Sequence, residues 1–279
     1  MRTVALLAVL AAVLNPGSAS AQVPPDSSAS PLRLDATTLR PARYSYDLAV
    51  TRDGVAQALG SQTISFADAT YAGTASWLIL ESRFGPGISG LDSVVASRDG
   101  LAALHWGTST GLARLAAEFT RDTVYGAISS PLGKRSLIGP APRGVIASEG
   151  MLDGLMQVAP IEEGWSASAT LLVADLAGTR LIAARLTVER EEEVSVPAGT
   201  FPSWVISLRT GNAEKWLWVS KDQRIVVKAS QTLAQLDGAV LDRVLTRVDD
   251  LRLIPLPAVP LPNDPRVDAT RPGPAPPGR

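Results

Sequence analysis

The sequence predicts a mainly β domain of antiparallel, hairpin-connected strands with one short helix and disordered N- and C-terminal segments. Three observations carry that expectation. Apolar residues recur at period two through many short runs, turn-forming residues (Gly, Asp, Asn, Ser) separate those runs, and one segment alone near the middle of the chain carries the three-to-four spacing of a helix closed by a proline.

In residues 1–21, Arg2 supplies a positive start, Val4 to Leu14 is an apolar run, and Ala19-Ser20-Ala21 is a small-residue cleavage site. That pattern is a secretory signal peptide with cleavage after Ala21, and the expected location is the periplasm or the extracellular space. A membrane anchor needs about 20 apolar residues, whereas Asn15-Pro16-Gly17 ends this run early, and no later stretch is long enough to be a transmembrane segment. Residues 22–41, rich in Pro, Ser, Asp and Ala, are expected to be a disordered linker, and residues 42–250 the antiparallel β domain. Residues 251–279 are expected to be a Pro-rich disordered tail, with nine prolines between Pro255 and Pro277.

Within the domain, Tyr44, Tyr46, Leu48 and Val50 alternate up to Arg52-Asp53-Gly54, a strand followed by a turn. Thr63 to Phe66 and Trp77 to Leu80 read as further strands, and Val94-Val95 before Asp99-Gly100 as another hairpin. Leu115, Ala117 and Phe119 lead through Arg121-Asp122 into Val124, Gly126 and Ile128. Ser148 can cap a helix whose face holds Met151, Leu152, Leu155, Met156 and Ala159, and Pro160 ends it. That methionine-bearing face is expected to be core. Ala167 to Val173 and Ile182 to Val188 alternate again around Leu176-Ala177-Gly178. Residues 240–251 fit either a helix face or a closing strand after the Asp237-Gly238 turn, and the strand is favoured.

A two-residue turn at Gly211-Asn212 would set Val205 opposite Trp218 and Ser207 opposite Trp216. Continued through a loop at Lys221 to Arg224, the same register sets Trp218 opposite Val227 and Trp216 opposite Ala229. One face then carries Trp204, Ile206, Leu208, Leu217, Val219 and Val226, and the other Val205, Trp216, Trp218, Ile225 and Val227. An antiparallel sheet commonly keeps one wet face. This one is apolar on both, so both require a cover: the helix for one, and for the other either the curling sheet or a bound apolar ligand.

Composition narrows the chemistry. The 279 residues include no Cys and one His, with 26 Lys+Arg against 27 Asp+Glu. No disulfide, thiolate nucleophile, iron–sulfur cluster or zinc finger can form without cysteine. His105 would have to serve any Ser-His-Asp site, and no Gly-x-Ser-x-Gly elbow accompanies it. A net charge near zero gives no footprint for nucleic acid. Gly107 to Gly111 lacks the lysine of a phosphate loop, and no calcium-loop spacing occurs. No metal, cofactor or catalytic residue is assigned. Glu189 with Glu191-Glu192-Glu193 could supply paired carboxylates to a hydrolase, but beside Arg190 the run reads as a solvated strand end.

The most distinctive run is Glu192-Glu193-Val194-Ser195-Val196-Pro197-Ala198-Gly199-Thr200-Phe201, followed by Trp204-Val205-Ile206, Lys215-Trp216-Leu217-Trp218-Val219-Ser220 and Ile225-Val226-Val227-Lys228. With Gly150-Met151-Leu152-Asp153 and Glu163-Gly164-Trp165, this order resembles the exported bacterial family catalogued as domain of unknown function 3108. The resemblance implies a curved antiparallel sheet or open half-barrel, somewhat like bacterial lipoprotein carriers, and it transfers no catalytic residue. Independently of the family, Pro197 pre-sets a turn, Gly199 gives a permissive backbone, and Phe201 docks that turn on the sheet. The function expected from these readings is a non-catalytic envelope protein that binds or carries an apolar or lipid-like ligand, with Val205, Trp216, Trp218, Ile225 and Val227 as the candidate ligand-binding residues. The alternative is an envelope scaffold that recruits another envelope protein through a sheet edge or the Pro-rich tail, and a carboxylate-dependent hydrolase ranks below both.

Overall fold

The computed structural model describes residues 34–175, 178–211 and 213–251. The signal segment and its cleavage site, most of the linker, Leu176-Ala177, Asn212 and the Pro-rich tail therefore lie outside the described residues.

Eight strands come first: β1 (Ala42–Arg52), β2 (Val55–Tyr71), β3 (Thr74–Phe84), β4 (Gly90–Ser97), β5 (Ala103–Thr110), β6 (Arg114–Phe119), β7 (Thr123–Ser130) and β8 (Gly133–Pro140). The helix α1 (Glu149–Val158) follows. Six more strands complete the chain: β9 (Ser166–Asp175), β10 (Gly178–Val196), β11 (Gly199–Thr210), β12 (Ala213–Ser220), β13 (Val226–Leu233) and β14 (Ala239–Asp250). All belong to one 14-stranded antiparallel sheet, in which β8 to β1 run in series, β1 pairs with β14, and β14 to β9 complete the order. Each hairpin partner is thus its neighbour in sequence, and only the β1–β14 pair joins distant parts of the chain. The ambiguous stretch at 240–251 is the closing strand, pairing β1 from Ala42↔Asp250 to Thr51↔Val240.

The sheet curls far enough that β8, one edge strand, touches β10, the strand beside the other edge, without pairing to it. A Cβ placed on Gly139 of β8 would lie 2.2 Å from Thr179 Oγ1 of β10. The outer edge of β9 is bridged by Ile146, whose N–H donates to Thr170 O at 2.8 Å while Leu172 N–H donates to Ile146 O at 2.9 Å. The result is a half-barrel, and α1 fills its hollow.

Local chemistry explains the helix. Ser148 Oγ accepts from Met151 N–H at 3.2 Å, and every residue from Glu149 to Met156 is buried. Met151, Leu152, Leu155 and Met156 are core. Gly150 and Gly154 lie on the side facing the sheet, where an added Cβ would come within 2.8 Å of Ile79 Cγ2 and 3.0 Å of Phe66 Cε1 respectively. The two glycines let the helix backbone approach β2 and β3 closely, at a cost of about 1 kcal/mol each in helix propensity.

Two expectations need correction. Residues 34–41, the end of the segment read as linker, are structured: Ala36–Thr38 form a 3-10 turn capped by Asp35, Ala36 and Leu39 are buried, and Trp77 Nε1–H donates to Ala36 O at 2.9 Å. Two apolar side chains and a capping aspartate suffice to dock a stretch whose composition is otherwise polar. The second correction concerns register. Val205 does face Trp218 and Ser207 does face Trp216, but a bulge on β13 intervenes between Trp218 and Val219. Trp218 therefore faces Lys228 and Trp216 faces Ser230, rather than Val227 and Ala229. Val227 is the extra residue of the bulge, and a bulge of this kind has no signature in side-chain alternation.

Candidate functional site: a charged cleft at the helix N-terminus

The first turn of α1 meets strands from both halves of the sheet. Glu149 opens the helix and Asp153 follows one turn later on the same face. Arg243 of β14 reaches both, with Nη2 2.8 Å from Asp153 Oδ1 and Nη1 3.4 Å from Glu149 Oε1. Lys215 of β12 pairs with Glu149 from the other side. Across the hollow, Glu81 of β3 accepts from Gly150 N–H at 3.1 Å and from Gln62 Nε2–H at 2.7 Å, and it pairs with Arg83, which also pairs with Asp92. The Arg243 guanidinium lies 4.4 Å from the centre of the Tyr46 ring, whose hydroxyl donates to Val226 O at 3.1 Å.

Seven charged side chains thus lie close together in the hollow, four acidic and three basic. Burial pushes the Glu81 carboxyl up to about 7, with Arg83 opposing that rise and Asp92 and Glu149 adding to it. Burial also works against ionisation of Glu149, but there Lys215 and Arg243 outweigh it and hold the carboxyl down at about 2. Burial raises Asp153 despite its pairing with Arg243, and raises the Tyr46 phenol well above its ordinary value. Two carboxyls at one helix end are thereby pushed in opposite directions from the ordinary carboxylate range.

A cleft opens over this cluster. Leu48, Leu59, Ile88 and Leu241 supply apolar walls, while Arg83, Glu149, Lys215 and Arg243 supply charge. Leu48, Leu59 and Ile88 form an apolar cluster separate from the main core. Three polar atoms of lining residues, Arg83 Nε, Arg243 Nε and Gln231 Oε1, are buried without a hydrogen-bond partner among the described residues. The arrangement offers donors and an acceptor below an oily wall, which suits a ligand with a polar end and an apolar body.

The residues singled out from sequence lie elsewhere. None of Val205, Trp216, Trp218, Ile225 and Val227 lines the cleft. Alternation along β12 puts Lys215 on the cleft side and Trp216 and Trp218 on the other. Val205, Trp218, Ile225 and Val227 are buried, and Trp216 is half-buried. Cations cover both indoles, with Lys228 Nζ 4.6 Å above Trp218 and the Arg190 guanidinium 5.7 Å from Trp216. Pro197 occupies the β10–β11 turn, Gly199 opens β11 with φ at +140°, and half-buried Phe201 packs against the main core. The neighbouring Ala198 N–H donates to Leu245 O at 3.1 Å. His105 is buried, with Nδ1 2.8 Å from Glu118 Oε1. In the acidic run, Glu192 pairs with Arg190 at 2.8 Å and Glu191 with Lys221.

Sequence reasoning missed the cluster because its members come from separate strands. The available signals were small: two acids four residues apart in an apolar helix, and Arg243 set inside the apolar run Val240 to Leu245. Among the described residues no group of three or more His, Cys, Asp or Glu is placed to hold a metal ion, and no helix is long and apolar enough to cross a membrane.

No family model matches the chain, and no curated protein matches it. Among solved structures the chain is similar to the hypothetical lipoprotein YmcC from Escherichia coli, with 12% identity, 80% of this chain and 88% of that chain covered, and a TM-score of 0.34. It is similar to a DUF1329 family protein from Desulfovibrio piger, with 11% identity, 77% and 87% covered, and a TM-score of 0.30. It is also similar to MucB, with 12% identity, 80% of this chain and 57% of that chain covered, and a TM-score of 0.30.

Proposed function

We propose that the chain is an exported, non-catalytic envelope protein whose half-barrel binds an amphipathic, lipid-like molecule in the cleft beside the α1 N-terminus. The signal-like N-terminus supports export, and the run from Glu192 to Lys228 supports kinship with the exported family of domain of unknown function 3108. The observation that carries the binding reading is the pairing of an apolar wall with buried, unpartnered donors. Leu48, Leu59, Ile88 and Leu241 would receive the apolar body, and Arg243, Arg83 and Gln231 the polar head. The acids of the cleft are each engaged by a cation or an amide, which suits holding a head group more than proton transfer.

Displacement of a fluorescent fatty acid tests the reading. The protein is expected to bind it, and Leu59→Ser, which removes an apolar wall residue, is expected to weaken binding about tenfold, the equivalent of roughly 1.4 kcal/mol of lost apolar contact. Trp218→Ala is expected to leave the affinity within about twofold. Absence of binding would refute the proposal, and loss of binding in Trp218→Ala alone would move the ligand to the opposite face of β12.

A further inference from the structure

Four of the eight large apolar side chains exposed among the described residues sit at turns in a pattern that follows the topology. In an antiparallel meander, alternate turns lie at the same end of the sheet. The β1–β2, β3–β4, β5–β6 and β7–β8 turns therefore share one rim. Each carries one exposed apolar residue: Val55 at 70%, Phe84 at 79%, Leu112 at 59% and Leu132 at 92% exposure. Successive tips are two strands apart, so at about 4.8 Å per strand the row spans roughly 30 Å. No such residue occupies the β2–β3, β4–β5 or β6–β7 turns at the opposite end.

Two of the four tips are flanked by basic residues alone. Arg114 lies two residues past Leu112, and Lys134 and Arg135 follow Leu132, all exposed, with no acidic residue in 108–114 or 129–135. Around Phe84 the connection Gly85 to Gly90 is uncharged, and beside Val55 Arg52 pairs with both Asp53 and Asp237. The cleft reaches toward this same end, since Ile88 of its wall belongs to the β3–β4 connection itself.

We infer that this rim docks on the surface of an anionic lipid bilayer, inserting Phe84, Leu112 and Leu132 at the headgroup boundary while Arg114, Lys134 and Arg135 meet lipid phosphates. Single apolar side chains on separate protruding tips suit a fluid interface into which each inserts on its own, whereas a protein partner is matched by one contiguous patch. Basic residues beside the tips add attraction to anionic headgroups that falls with salt. The inference stands whatever occupies the cleft.

The absence of cysteine makes the test specific. Leu112→Cys and Leu132→Cys, each labelled with an environment-sensitive dye on the full chain, report on the rim alone. Ile138→Cys is the control, because it is 76% exposed yet six residues along β8 from Leu132, about 20 Å away at 3.3 Å per residue. With phosphatidylglycerol vesicles, both rim dyes are expected to shift to the blue and brighten several-fold while the control stays constant. The double variant Lys134→Glu/Arg135→Glu in the Leu132→Cys background, or raised salt, is expected to reduce the response. A rim response no larger than the control's would overturn the inference, as would an equal response on phosphatidylcholine vesicles. Substitutions at exposed tips are not expected to move the urea midpoint, which verifies that each variant folds.

Discussion

Arg243 is the residue on which the interior charge balance turns. It is 3% exposed, touches both acids of α1, and lies against the Tyr46 ring. Removing one partner of a buried ionic cluster leaves the other uncompensated, so Arg243→Met is expected to lower stability by about 3–5 kcal/mol in urea denaturation. A change below 1 kcal/mol would mean that Glu149 and Asp153 are satisfied without it. Glu81 supplies a pH dependence of opposite sign to Glu149. Its pKa is raised in the fold to about 7, so its contribution is fully present below the unfolded carboxyl pKa near 4.5 and is lost as pH rises through 7. Glu149, held down at about 2, contributes above pH 4.5 and loses that contribution as pH falls toward 2. Stability profiles should therefore decline between pH 4.5 and 7, and Glu81→Gln should flatten that decline. Identical slopes in the two proteins would show that Glu81 is ionised throughout.

Among the elements, α1 is short, and tertiary packing makes it a helix. Helices under about 12 residues are marginal alone in water, and this one also carries two interior glycines. Gly150→Val would place its Cβ 2.8 Å from Ile79 Cγ2, and overpacking of that kind is expected to cost about 1–3 kcal/mol. A thermal scan in which Gly150→Val melts with the parent protein would mean that the helix sits further from β3 than described. The helix was legible in sequence because capping, spacing and Pro160 agree over a dozen residues, β1, β11 and β12 because alternation and turn residues agree locally, and β3 because Trp77 to Leu80 form a short apolar run. The β12–β13 bulge was not legible, since one extra residue leaves no trace in composition. Nor was β8, where Lys134, Arg135 and Ser136 interrupt any alternation and Leu137 alone is buried, too few inward residues to impose a pattern.

At the scale of the whole molecule, antiparallel connectivity follows from local signals, while the curl of the sheet depends on contacts no local pattern encodes. Gly139 against Thr179, and Ile146 bridging β9, bring together segments about 25 to 40 residues apart. That curl builds the cleft, because Arg83, Lys215 and Arg243 converge only when β3, β12 and β14 wrap around one helix. The two tryptophans that alternation made prominent lie on the opposite face of β12, while the lysine between Glu214 and Trp216 faces the helix.

Photo-crosslinking with a diazirine-bearing fatty acid, followed by mass spectrometry of the modified peptides, addresses the occupancy of that hollow most directly. Adducts are expected on the peptides carrying Leu48, Leu59 and Leu241, competed away by unlabelled fatty acid. Adducts confined to the stretch containing Trp216 and Trp218, or none above those on a denatured control, would contradict a ligand site beside the α1 N-terminus.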